Sequence, residues 1–195
     1  MSQTPIKPLT GARGAAGPVP GRPRQILGLS PAGAVILAAT VLGLALRAYQ
    51  LARPGHLLAA TEYDDGADFG SALRLVNGAI PYRDFITVQP PGITVLMIPV
   101  ALLSKVASTA WAMAAARILT AAAGVGSVLL GGLIVRHRGT VAVTLTCGVL
   151  AVYSPAVQSA HTVLLEPWLV LFCLAGVAAI FAGDRLASTE RLVWG

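Results

Sequence analysis

GITVLMIPVALLS, residues 92–104, decides the architecture, because the number of membrane crossings turns on whether this run spans. It is uncharged for 13 residues and ends at Lys105. A helix crossing a bilayer needs about 20 apolar residues, and a run of roughly 10 to 14 fits a re-entrant or interfacial segment better. If it crosses, the chain has five spans and Arg136 and Arg138 face outward. If it only dips, there are four spans, and Arg136 and Arg138 share a side with the basic N-terminus and with Asp184, Arg185 and Arg191. Cytoplasmic loops are enriched in Lys and Arg, which selects four spans, a cytoplasmic N-terminus, and an outward position for Asp64, Asp65 and Glu166.

The flanking sequence gives the same class. The 195 residues are 55% hydrophobic and 11% charged, with a mean hydropathy of +0.74, which excludes an ordinary soluble domain. Ala, Val, Leu and Gly supply the apolar bulk while aromatics make up 6%, as suits helices packed through small residues rather than a barrel with aromatic girdles. The expected fold is all-α, a polytopic transmembrane helical bundle whose outer loop carries interfacial juxtamembrane helices. Residues 1–24 are expected to be a disordered cytoplasmic tail and 25–195 the membrane module. Spans are expected at about 27–49, 113–135, 139–159 and 166–183, with an outer loop at 52–111 and interfacial helices at about 65–78 and 92–105.

A cleaved secretory signal does not fit the N-terminus, since Gln25 to Leu46 is uncharged for 22 residues and a signal's apolar region covers only about 7 to 15. The expected location is therefore the plasma membrane. Arg47 and Arg53 close the first run, placed for their charged ends to snorkel to headgroups. The net charge of +6 and pI near 10.0 do not indicate nucleic acid, because the basic residues lie in the tail and at segment ends, where they set orientation. Cys147 and Cys173 fall inside apolar runs and read as small buried side chains.

Upstream of the deciding run lies TEYDDGADFGSALRLVNGAIPYRDFITVQPPG, Thr61 to Gly92, with four of the chain's eight carboxylates in seven residues, Glu62 to Asp68. From Asp65 to Ile80 apolar residues recur at three and four residue spacings around Arg74, the pattern of an interfacial helix. Asn77 and Gly78 stop it. PYRDF then leads through Gln89 to Pro90 and Pro91, which impose an extended or turned backbone.

The bland reading of the carboxylates is a solvated acidic loop. Asp64 and Asp65 open a helix that either could cap, and Asp68 falls one turn after Asp64. Carboxylates crowded at an interface raise one another's pKa and supply a general base or a metal ligand. Gln89 could offer an amide to a substrate hydroxyl, or mark only a break between helices. Glu166 precedes Pro167 at the start of the last span. It either complements the helix dipole or acts as a functional group at membrane depth. Arg117 reads as a snorkelling anchor or as a holder of lipid phosphate. His161 and Tyr153 read as interfacial residues with a polar tip. No Walker loop, HExxH, CxxC or serine elbow is present.

Taken in order, these features resemble the GT-C membrane glycosyltransferases, most closely the bacterial protein O-mannosyltransferase and aminoarabinose transferase-like branch. They are the N-terminal span, YDDG in the outer loop, the amphipathic helix, the Gln-Pro-Pro turn, a half-length apolar segment, Arg117 opening a span that ends in a basic pair, and a later acidic Glu166. Asp64 and Asp65 are similar to that family's Asp-Glu pair, and Gln89 stands where it has histidine. The resemblance implies inverting hexosyl or pentosyl transfer from a polyprenyl-phosphate-linked sugar donor to an unidentified glycan, lipid or protein acceptor on the outer face. It implies Asp64 as general base, Asp65 as the group orienting it or the acceptor, and Arg117 neutralising the leaving phosphate. Gln89, Glu166 and Asp68 would contact substrate. No nucleotide cofactor is implied, and a divalent ion could sit at so acidic a site without being required. The partners implied are the lipid bilayer, donor and acceptor, with no nucleic acid. Family members carry many more spans, so the chain is expected to be an N-terminal portion or truncated copy. The alternatives are a non-catalytic membrane subunit or lipid-carrier binding protein and, with ionisable groups at span ends and no internal repeat, less readily a transporter.

Overall fold

Ser30 accepts a hydrogen bond from the Gly33 amide at 3.2 Å and so caps the first helix, α1 (Pro31–Leu51). The proline sits in the first turn, where its missing N–H would have had no helical partner. The structure is a computed structural model, and it describes residues 30–60, 62–87, 89–182 and 185–186. The N-terminal tail expected over 1–24 lies outside the described residues, as do Asp184 and Arg191. After α1 come α2 (Tyr63–Val76), two short helices α3 (Gly92–Leu96) and α4 (Ile98–Ala101), and a 3-10 turn at Leu102–Lys105. The long helix α5 (Thr109–Val135), a 3-10 turn at Arg136–Arg138, α6 (Thr140–Val152), α7 (Ser154–Ser159) and α8 (Glu166–Ile180) complete the bundle. Two residues at each side, Phe181–Ala182 and Arg185–Leu186, pair antiparallel beyond α8. The rest of the described chain is mostly helical, with turns and a single bridge between Pro81 and Phe85 in the loop after α2, and its class is all-α.

Helix α5 is the axis, packing against α1, α6 and α8. Its composition explains why. Ala112, Ala116, Ala123, Gly124, Gly131 and Gly132 are buried along its length, and small residues let helices approach closely where lipid supplies no hydrophobic drive. A Cβ on Gly132 would lie 2.6 Å from the Cys147 sulfur and 2.8 Å from Ile36 Cγ1, so α1 and α6 both press on that point. Two helices, Pro31–Leu51 and Thr109–Arg138 with its terminal turn, are long and apolar enough to cross a membrane; Thr140–Val152 and Glu166–Ile180 are shorter apolar helices.

Three local structures differ from the sequence-based expectations. The segment at 92–105 is three short turns rather than one helix, because Pro99 cannot donate to the preceding turn. The run at 139–159 is broken at Tyr153, whose ψ of 113° is extended, because in a continuous helix Pro155 would have no N–H for the Ala151 carbonyl and its ring would clash there. Arg47, placed at the end of α1, does not snorkel. It is 2% exposed and turned into the bundle, where Nη1 donates to the Gly43 carbonyl at 3.1 Å and Nη2 to the Leu150 carbonyl at 3.4 Å. The break after α6 interrupts the helical ladder near Leu150, so the guanidinium meets an acceptor there. A Cβ on Gly124 would lie 2.6 Å from Arg47 Nε, so glycine at that position makes room for the cation.

The chain reverses at Arg136–Arg138, where Gly139 takes φ 92°, a conformation glycine adopts without strain. At the opposite end of the bundle α1 finishes, α5 begins and α7 leads into α8. That end carries α2, α3 and α4, which pack over Ala112, Met113 and Ala116 of α5 through Phe69, Ala72, Ile93 and Met97.

Candidate active site

Helix α2 buries the stripe Asp65, Asp68, Phe69 and Ala72, the three and four residue spacing of one helical face. Half of that inward face is carboxylate. Phe69, 2% exposed, anchors it with a burial worth about 1.5 to 3 kcal/mol. An aspartate on the same face must be compensated, since an isolated buried charge is strongly disfavoured.

Asp65 is fully compensated. Its Oδ1 accepts from the Val163 amide at 2.7 Å, and its Oδ2 accepts from Arg117 Nη2 in an ion pair whose two side chains are both sealed from solvent. Arg117 Nη1 donates to the His56 carbonyl. One charge pair therefore ties together four segments: α2, the start of α5, the loop after α1 and the loop before α8. Arg117 is consequently not a snorkelling anchor, and its guanidinium faces this pair rather than the bundle surface. Asp65 likewise presents no oxygen to solvent, and neither Asp64 nor Asp65 caps α2. The N-cap residue is Glu62, whose side chain makes no capping bond.

Asp68 is the other inward carboxylate. It is 9% exposed, and its Oδ2 has no hydrogen-bond partner. Burial, then the carboxylates of Asp64, Glu166 and Asp65, push its pKa from 3.8 up to about 6. The like charges acting on Asp68 thus come both from α2 and from the residue that opens α8. Asp64 lies exposed one turn before Asp68, and Glu166 lies exposed in the first turn of α8. Glu166 also lines a largely apolar cavity of about 410 Å3 with Arg47, Ser127, Tyr153, Ser159 and Val170.

Gln89 is not drawn into this cluster by any hydrogen bond among the described residues. Its carbonyl accepts from the Tyr82 hydroxyl at 3.1 Å, while its side-chain Oε1 is buried and unpartnered. The preceding turn is held by the Asp84 carboxylate, which accepts from the Ile80 amide at 2.8 Å and pairs with Arg83. Arg74 lies over the Phe85 ring at 5.4 Å and ties that turn to α2.

The sequence reading missed His56 altogether and misplaced His161. The two rings stack at 5.2 Å between centroids, and His161 is 5% exposed rather than interfacial. The Nδ1 atoms of both are buried without partners. Burial and the neighbouring His56 hold the His161 pKa below its ordinary value, against smaller upward pushes from the Gln158 carbonyl and Glu62, with Arg117 adding to the downward side. Neither histidine stands in a motif, so the sequence offered no local signal.

Among the described residues no group of three or more His, Cys, Asp or Glu side chains is arranged to hold a metal ion. No protein-family model, curated protein or solved structure matches the chain.

Proposed function

We propose that this chain forms part of a multi-spanning membrane glycosyltransferase site, inverting in outcome, that moves a sugar from a polyprenyl-phosphate carrier to an acceptor hydroxyl on the outer face of the plasma membrane. The observation that carries the reading is the sealed Asp65–Arg117 pair. It fixes an amphipathic helix across the mouth of the bundle and leaves Asp64 and Asp68, one turn apart, with Glu166 close by. Carboxylates held at the rim of an apolar bundle can meet both a lipid-borne donor and a water-borne acceptor. The same arrangement supports a four-crossing topology, because the basic turn Arg136–Arg138 lies at the opposite end from the acidic residues, as positive-inside orientation requires. In this topology the N-terminus is cytoplasmic and the broken segment at 92–105 dips into the interface.

The roles are divided as follows. Asp65 and Arg117 position α2. Asp64 and Asp68 face the acceptor, and Glu166 lies where α8 meets the cavity. Arg117, engaged by Asp65, does not act on the leaving phosphate, which departs with the carrier.

The test is transfer in membranes containing the chain, supplied in turn with radiolabelled sugars linked to polyprenyl phosphate. Label should move to an acceptor, and Asp64→Asn should lower transfer at unchanged expression. Unchanged kcat and KM in Asp64→Asn would remove that residue from the site. The cavity of about 410 Å3 beside Glu166 favours a second reading, a non-catalytic carrier-binding subunit. That reading is preferred if carrier lipid binds and no sugar is transferred.

A further inference from the structure

The inward face of α2 holds two aspartates in different states. Asp65 has a guanidinium and a backbone amide as partners, so both its oxygens are occupied. Asp68, three residues on, is equally turned inward but has no cation, and its Oδ2 has no donor. The charged groups around it are carboxylates: Asp64 and Asp65 on its own helix, and Glu166 from α8. The guanidinium of Arg117 on α5 is held by Asp65. A buried carboxyl surrounded by like charges has one inexpensive way to be accommodated, which is to carry a proton.

Resting on the glycosyltransfer reading, we propose that Asp68 is the general base of the site and Asp64 the residue that holds and aligns the acceptor hydroxyl. In the step, the acceptor O–H bond breaks and its proton passes to the Asp68 carboxylate. The oxygen's electron pair forms the new bond to the anomeric carbon of the sugar. The bond from that carbon to the carrier phosphate breaks, and its electrons leave on the phosphate. Proton and charge balance without a metal or a redox partner. The arrangement suits the task because a base is most effective when its pKa lies near the working pH, and that of Asp68 is pushed up to about 6. Asp64, in contact with water, can reach a hydroxyl arriving from outside the bundle.

Two measurements separate this proposal from the reading beneath it. The first needs no substrate. The full chain in lipid vesicles is treated with dicyclohexylcarbodiimide, which modifies protonated carboxyls in apolar surroundings, and the adducts are located by mass spectrometry from pH 5 to 8. Label is expected on Asp68 well above Asp64, falling on the order of 100-fold across that interval with its midpoint near pH 6. Label on Asp64 at the same level, or no acid-dependent label on Asp68, overturns Asp68 as the proton carrier. The second is the pH profile of transfer. Wild-type transfer should rise with pH through about 6, and Asp68→Asn should lose on the order of 100-fold or more together with that rise. Asp68→Glu should recover part of the rate with a displaced midpoint, and Asp64→Asn should raise KM while keeping the rise. A rise retained in Asp68→Asn, or lost in Asp64→Asn, overturns the assignment. If the wild type transfers no carrier-linked sugar, the glycosyltransfer reading and this catalytic role fall together. The labelling still decides whether Asp68 binds the proton.

Discussion

Arg117 and Asp65 meet as an ion pair with no solvent exposure on either side chain, although 52 residues separate them in sequence. The pair closes the end of the bundle, since Asp65 also accepts from Val163 and Arg117 also donates to the His56 carbonyl. Removing one partner leaves the other charge buried and uncompensated. Arg117→Ala or Asp65→Ala should therefore destabilise the purified protein by about 3 to 5 kcal/mol, whereas Arg117→Met combined with Asp65→Leu should cost less than either single change. Thermal unfolding followed by size-exclusion fluorescence in one detergent measures all three. A double variant as unstable as the sum of the singles would show that the pair acts through more than its charge.

Asp68 predicts a stability difference that depends on pH. Its folded pKa, near 6, is raised above the ordinary 3.8, so the folded state binds the proton more tightly than the unfolded chain. The sign follows from linkage: this contribution is fully present below about pH 3.8 and is lost as pH rises through about 6. Asp68→Asn removes the charge that must be buried at neutral pH. It should raise stability on the order of 2 kcal/mol at pH 7.5 and change it little at pH 4. Melting temperatures of the two proteins across that range give the comparison, and equal differences at both ends would contradict it.

His161 predicts the opposite slope. Its pKa is lowered from 6.5, so the folded state favours the neutral ring. Its contribution is present above pH 6.5 and is lost as pH falls through the lowered value. His161→Phe keeps a ring against His56 but cannot take a proton. Acidification from pH 7.5 to 5 should then destabilise the variant less than the wild type in the same melting assay.

Close helix approach predicts where a methyl group cannot be added. Gly132→Ala would push its Cβ to within 2.6 Å of the Cys147 sulfur and should cost about 1 to 3 kcal/mol. Gly148→Ala, with nothing within 4 Å of the added carbon, should be neutral or stabilising by up to about 1 kcal/mol, as expected for an open helical glycine. A similar loss at both positions would mean that crowding of α5 against α6 is not what glycine serves at 132.

Topology can be read directly. In a background carrying Cys147→Ala and Cys173→Ala, Tyr63→Cys should react with an impermeant thiol reagent applied outside intact cells. His137→Cys should react only after permeabilisation. The reverse pattern at His137 would restore a fifth crossing through 92–104.

Much of the helical framework could be read from uninterrupted apolar runs, because burying backbone polar groups in a membrane forces such runs into helix. The break in the third run was less visible, although Pro155 signals it, because the run remains apolar on both sides. The two arginines were harder. A cation at a span end can rise to the headgroups or turn inward, and local sequence is the same in both cases. What decides it for Arg117 is Asp65, and for Arg47 a carbonyl on α6 and a glycine on α5. The gathering of Asp64, Asp68 and Glu166 depends on how the loop before α8 is tied to α2 through Val163 and Asp65, a tertiary relation with no local signature. The roles assigned by resemblance to Asp65 and Arg117 changed most, since the fold joins these two to each other.

The inward turn of Arg47 bears on how the protein is made. Helix α1 leaves the ribosome before α5 and α6 and carries a cation whose partner carbonyl, on Leu150, is synthesised 103 residues later. In the four-crossing reading, until α5 and α6 arrive only the Gly43 carbonyl of its own helix receives that charge, and a lone arginine in hydrocarbon is expensive. The first helix should therefore sit shallow, with Arg47 held at the water interface, and sink to its final depth only when the third long segment has been inserted. Nascent chains halted before residue 140 should expose Arg47 to water, and chains halted after α7 should not.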